Sequence, residues 1–122
     1  MSELVNKAEL EKAGLSPREL LEKFREQLIK DFEMSNALQY LQPLDSAGYA
    51  DIHNNIRQAL EALSKKGYSN YQQLLYRVDI SEKQVNNNTA KTHYSGDLFD
   101  NVAGLIIKRI LQKVILKAIH SR

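Results

Sequence analysis

Apolar residues recur at intervals of three and four along most of the chain, which is the spacing of one face of an α-helix. Leu20, Leu21, Phe24, Leu28 and Phe32 fall on one such face, with Ile29 off the stripe. Tyr49, Ile52, Ile56, Ala59, Leu60 and Leu63 make a second face, opposite Asp51, Gln58, Ala62 and Lys65. A shorter third run holds Tyr71, Leu74, Leu75 and Val78. The pattern predicts an all-α protein, a compact bundle of four to six helices with a long helix at the C-terminal end.

The boundaries come from capping chemistry. Glu3 to Ala13 can form a short helix that stops at Gly14, because glycine adopts the left-handed conformation that ends helices. Ser16, Pro17 and Glu19 then form the clearest start signal in the chain. A serine at the cap, proline in the first turn and glutamate three residues on make a capping box. That helix is expected to reach about Glu33, bending on through Leu38 and Leu41 until Pro43 stops it. Asp45 or Ser46 can open the next, and Lys65-Lys66-Gly67 is a conventional ending. Asn70 is the expected cap of the shorter helix, and Ser81 with Gln84 a second capping box around Val85. Residues 86–96 are polar, rich in Asn and Thr and without period, which predicts a mobile loop. Asp97 opens the last helix, expected to run to about His120. There is no internal repeat, so residues 1–122 read as a single domain, with 1–15 a candidate for a loosely attached N-terminal helix.

The last helix changes face. Leu98, Phe99, Val102, Leu105 and Ile106 gather on one side in its first half, opposite Asp100 and Gly104. Farther on, Ile107, Ile110, Leu111, Val114 and Ala118 lie on the side that Asp100 and Gly104 had held, while Arg109, Lys113 and His120 take the earlier apolar side. A helix docked on one core keeps one apolar side. Either this one is central, with neighbours at different heights, or its distal half meets a second chain. The second alternative makes Ile107, Ile110, Leu111, Val114 and Ala118 an interface, since aliphatic residues left in water mark interaction sites.

Composition narrows the classes. The 122 residues carry 17 Lys and Arg against 15 Asp and Glu, for a net charge of +2, so nothing global calls for nucleic acid. Every charged residue from Lys108 onward is nevertheless basic, as suits a helix C-terminus. Arg109, Lys113 and Lys117, with Lys65 and Lys66, form the candidate basic patch, and Tyr68, Tyr71 and Arg77 could add stacking to it. There is no cysteine, hence no disulfide, thiolate metal site or cysteine nucleophile. Residues 105–119 are apolar but broken by four cations, so they do not span a bilayer. An amphipathic helix lying on a membrane surface would want Trp or Phe anchors that this stretch lacks. The first residues lack the basic start and apolar run of an export signal, so the expected setting is the cytoplasm and the sequon at Asn87-Asn88-Thr89 reads as coincidence.

Catalytic signals are absent at the level of motifs. Asp51 is two positions from His53 and so points to a different side of its helix, which leaves His53 without a sequence-adjacent partner. His93 and His120 are scattered, giving no metal-ligand spacing. Glu19, Glu22, Glu26 and Glu33 share helical spacing, but Lys23, Arg25 and Lys30 interleave with them as on a solvated face. The five glycines are isolated, and no phosphate loop or nucleophile elbow occurs. Ala13-Gly14-Leu15-Ser16 resembles the turn of a helix-turn-helix, yet Glu19, Glu22 and Glu26 on its second helix would repel phosphates. The expectation is a non-enzymatic protein-interaction or self-association module without cofactor or metal. Its expected partner is another protein or its own copy, with weak nucleic-acid binding through the basic C-terminal helix as the alternative.

Overall fold

A computed structural model describes residues 7–44, 48–66, 68–81, 83 and 98–120. Among these residues there are five α-helices and no strand: α1 (Lys7–Ala13), α2 (Pro17–Met34), α3 (Tyr49–Lys66), α4 (Tyr68–Val78) and α5 (Leu98–His120), with a 3₁₀ turn at Leu38–Tyr40. The all-α bundle is as the periodicity indicates. The expected polar loop at 86–96, the capping box closing on Gln84 and the cap at Asp97 lie outside the described residues.

Local chemistry sets most of the helix ends. Gly14 takes φ 68°, and its N–H donates to the Leu10 carbonyl at 3.2 Å, ending α1. Ser16 Oγ accepts from the Glu19 N–H at 3.1 Å, while Glu19 Oε1 accepts from the Ser16 N–H at 3.1 Å, so both halves of the capping box form. The Ser16 backbone N–H, and after it the Ser16 side chain, hold the Glu19 carboxyl below its ordinary pKa by hydrogen bonding.

Two helices end on left-handed residues that are not glycine. Asn36 (φ 57°) and Asp79 (φ 70°) follow α2 and α4. In each case the next N–H reaches back five residues, Ala37 to the Phe32 carbonyl and Ile80 to the Leu75 carbonyl, both at 2.8 Å. This is the Schellman arrangement, completed by burial of Ala37 and Ile80. It stops α2 at Met34, so the expected bend through Leu38 becomes a separate 3₁₀ turn. Beyond it, Asn55 Oδ1 accepts from the Gln42 N–H at 2.9 Å and its Nδ2 donates to the Gln42 carbonyl at 3.0 Å, tying the connection to α3. The shorter helix starts at Tyr68, so Asn70 lies inside α4 and is not its cap.

The α5 helix is the centre of the bundle. It packs against α1, α2, α3 and α4, its largest interface being with α3. Gln27 and Asp31 meet Lys117 and Lys113 respectively, so α2 runs antiparallel to α5. Tyr71 meets Phe99 edge-on at 6.1 Å between ring centroids, and Asp79 meets Arg109, so α4 runs alongside α5 in the same direction. Residues from both apolar sides of α5 are buried within this chain: Val102 and Ile106 from the first, Ile107, Ile110, Leu111 and Val114 from the second. Each such side chain contributes roughly 1.5–3 kcal/mol through burial.

Candidate functional site

The expected interface does not stand as a free surface. Ile107, Ile110 and Leu111 lie in the core, the last two with no exposed area, because α1, α2, α3 and α4 cover α5 on different sides. The change of face along α5 is therefore the signature of a central helix. Only at the distal end does the stripe approach the surface: Val114 is nearly buried and Ala118 half-buried.

The basic patch is likewise mostly used within the chain. Arg109 Nη2 donates to Asp79 Oδ2 at 2.8 Å. Lys113 Nζ donates to Asp31 Oδ2 at 3.2 Å and to the Arg77 carbonyl at 2.9 Å. Asp31 is wholly buried and also receives Gln27 Nε2 at 3.0 Å and Arg77 Nε at 3.5 Å. One carboxylate thus joins α2, α4 and α5. The sequence held a signal for this residue: Asp31 follows Phe24 and Leu28 by seven and three positions and so falls on the apolar face of α2. Lys65 pairs with Glu61 on its own helix at 3.6 Å, and Lys66 is exposed at the end of α3. The five cations do not act as one uncommitted strip.

Lys117 also remains at an open place. It borders a groove of about 520 Å³ between the α1–α2 junction and the distal half of α5. Ala13, Leu15, Val114 and Ala118 form its aliphatic lining, and Lys23, Glu26, Gln27 and Lys30 come from α2. The capping chemistry builds this place. The turn at Gly14 and the box at Ser16 set Leu15 between α1 and α2, and the antiparallel α5 brings Val114, Lys117 and Ala118 opposite. Lys117 Nζ donates to Gln27 Oε1 at 2.7 Å, a neutral acceptor, and among the described residues it takes part in no ion pair. The ion pairs among the described residues involve neither Lys23 nor Lys30.

A second groove, of about 580 Å³, is lined by Met34, Ser35, Ser69, Gln72, Gln73, Tyr76 and Arg77. It presents Tyr76, 87% exposed, and Met34, whose sulfur accepts from Arg77 Nη2 at 2.7 Å.

His53 has a partner that sequence adjacency could not supply. Its Nε2 lies 2.7 Å from Asp100 Oδ1 on α5, and both side chains are partly exposed. Neither residue lines either groove. Tyr49 packs on Phe24 at 5.4 Å between ring centroids. Burial pushes the Tyr49 phenol above its ordinary pKa, with Arg25 acting in the opposite direction, which favours the neutral form. Among the described residues no three His, Asp or Glu side chains gather in a way that could hold a metal ion.

Comparison with known proteins gives no family model that matches the chain, no similar curated protein and no similar solved structure. Among the described residues no helix is long and apolar enough to cross a membrane.

Proposed function

We propose that this protein is a non-enzymatic interaction module that docks another polypeptide in the groove between the α1–α2 junction and the distal half of α5. The observation that carries this reading is the make-up of that groove. Its apolar lining is Leu15, Val114 and the two small alanines Ala13 and Ala118, and its polar lining is Lys23, Glu26, Gln27, Lys30 and Lys117. Aliphatic lining combined with charged and polar groups suits a polypeptide-docking surface. A volume of about 520 Å³ has room for a few apolar side chains of a partner. Catalysis asks instead for a nucleophile or a general base beside a second polar group in a cleft. The His53–Asp100 pair meets the second requirement but lines neither of the two grooves described above. The tying of Arg109 and Lys113 to Asp79 and Asp31 leaves the nucleic-acid alternative without a specific observation in its favour.

A peptide library displayed against the immobilised full chain tests the reading. Ala118→Arg places a long side chain in the groove at a half-buried position, so the bundle should keep its helical circular dichroism. Enriched peptides should bind the wild type, compete with one another and fail on Ala118→Arg. Enrichment of nothing, or of peptides that bind the variant equally well, would overturn the proposal.

A further inference from the structure

The groove has a charge imbalance that selects among partners. Among the described residues that line it, Lys23, Lys30 and Lys117 stand against one carboxylate, Glu26. Lys23 and Lys30 are seven residues apart on α2, two helical turns or about 10 Å along the axis, and Lys117 faces them from α5. Close range and a partly apolar surround strengthen each attraction relative to open water. The groove follows two antiparallel helices, a furrow into which a third helix packs through ridges and grooves. The small side chains of Ala13 and Ala118 leave room for close approach.

Resting on the interaction reading above, we infer that the occupant is an acidic amphipathic helix of another protein. Its apolar stripe lies on Leu15, Val114 and Ala118, and carboxylates two turns apart face Lys23 and Lys30, with Lys117 on the opposite bank. This is the helix-in-groove mode, in which aliphatic anchors give affinity and rim charges give steering and selectivity. A second copy is a poorer match. The exposed side of α2 mixes Glu22 and Glu26 with Lys23 and Lys30, so α2 from another copy would bring charges of both signs rather than the uniformly acidic face that three lysines select.

Fluorescence anisotropy with the full chain and three labelled peptides of roughly 15 residues tests the assignment. One peptide has a leucine stripe and a glutamate face, one a leucine stripe and a lysine face, and one a glutamate face with serine replacing leucine. Only the first should bind, and more weakly as salt rises. Lys23→Glu with Lys30→Glu changes two exposed side chains and should cut that affinity by about tenfold at low salt. Lys117→Gln, checked separately, should cost a few-fold. The assignment falls if the lysine-faced peptide binds as well, if the serine peptide binds as well, or if charge reversal leaves affinity unchanged. Library peptides that are neutral or basic yet blocked by Ala118→Arg would sink the acidic partner while sparing the interaction reading. Loss of both requires that no peptide be blocked by Ala118→Arg. A wild-type dimer in sedimentation, reduced to 14.0 kDa by Ala118→Arg, would make the occupant a second copy and overturn the acidic-helix assignment.

Discussion

The α2 and α5 helices lie antiparallel in the same bundle but are held by different means. In α2 one face, Leu20, Phe24, Leu28 and Phe32, goes inward, and Arg18, Glu22, Glu26 and Glu33 stay in water. Its start is fixed by groups within four residues of one another, Ser16 to Glu19. The α5 helix is enclosed at several heights, and its exposed positions are only Leu98, Lys108, Leu116, Lys117 and His120. Its polar groups find partners far along the chain: Asp79 for Arg109, Asp31 for Lys113 and Gln27 for Lys117. One helix is specified by its own sequence, the other by what surrounds it. A substitution on the apolar side of α5 should therefore be a folding defect, and one at the start of α2 a small local loss.

The largest effect is expected at Leu111, which has no exposed area. Leu111→Asp removes a packed side chain, at about 2–5 kcal/mol, and adds the cost of burying a carboxylate. The sum approaches the whole stability of an ordinary domain, about 5–15 kcal/mol. The variant should lose its cooperative thermal transition at room temperature and show the spectrum of an unfolded chain. A folded Leu111→Asp protein with altered mass would restore Leu111 to a surface and break the comparison between the helices.

Next in size is Asp31. Removing one partner of a buried ion pair costs about 3–5 kcal/mol when the others stay buried. Arg77 and Lys113 are 38% and 22% exposed in their side chains, so both can turn toward water. Asp31→Ala should therefore fall near the lower end, about 3 kcal/mol. Urea unfolding measures this. Combining it with Lys113→Met should give back part of the loss, because the stranded cation is gone. Additive losses in the double variant would show that Asp31 and Lys113 do not act as a unit.

These magnitudes also explain what was legible in the sequence. The α2 boundaries and the turn at Gly14 could be read because their donors and acceptors are near neighbours in the chain. The two-sided pattern of α5 was equally visible, but a central helix and an interface helix share it. Only the positions of α1 to α4 decide between them, and those depend on contacts such as Asp31 with Lys113, 82 residues apart. For the same reason Asp100 could not be found as the partner of His53, 47 residues away. The groove was half legible. Val114, Lys117 and Ala118 belong to the expected site, whereas Leu15, Lys23 and Lys30 join it only through the antiparallel packing of α2 on α5.

A smaller effect separates the local helix start from the core. Ser16→Ala removes the hydroxyl that caps the Glu19 N–H and should cost about 1 kcal/mol. A urea midpoint unchanged within error would mean that the capping box contributes nothing measurable and that α2, too, depends wholly on its packed face.

The smallest effect is electrostatic and has a defined direction with pH. Ser16 holds the Glu19 carboxyl below its ordinary pKa through its backbone N–H and its hydroxyl. A carboxyl whose pKa is lower folded than unfolded adds stability above the unfolded value. That contribution is lost as pH falls through the folded one. Glu19→Gln keeps an oxygen that can accept the Ser16 N–H but removes the charge and its favourable interaction with the helix N-terminus. The wild type should therefore unfold at slightly higher urea than Glu19→Gln at neutral pH, and the gap should close on acidification. A gap that persists after the carboxyl has been protonated would assign the difference to side-chain shape, and the start of α2 would then owe nothing to charge.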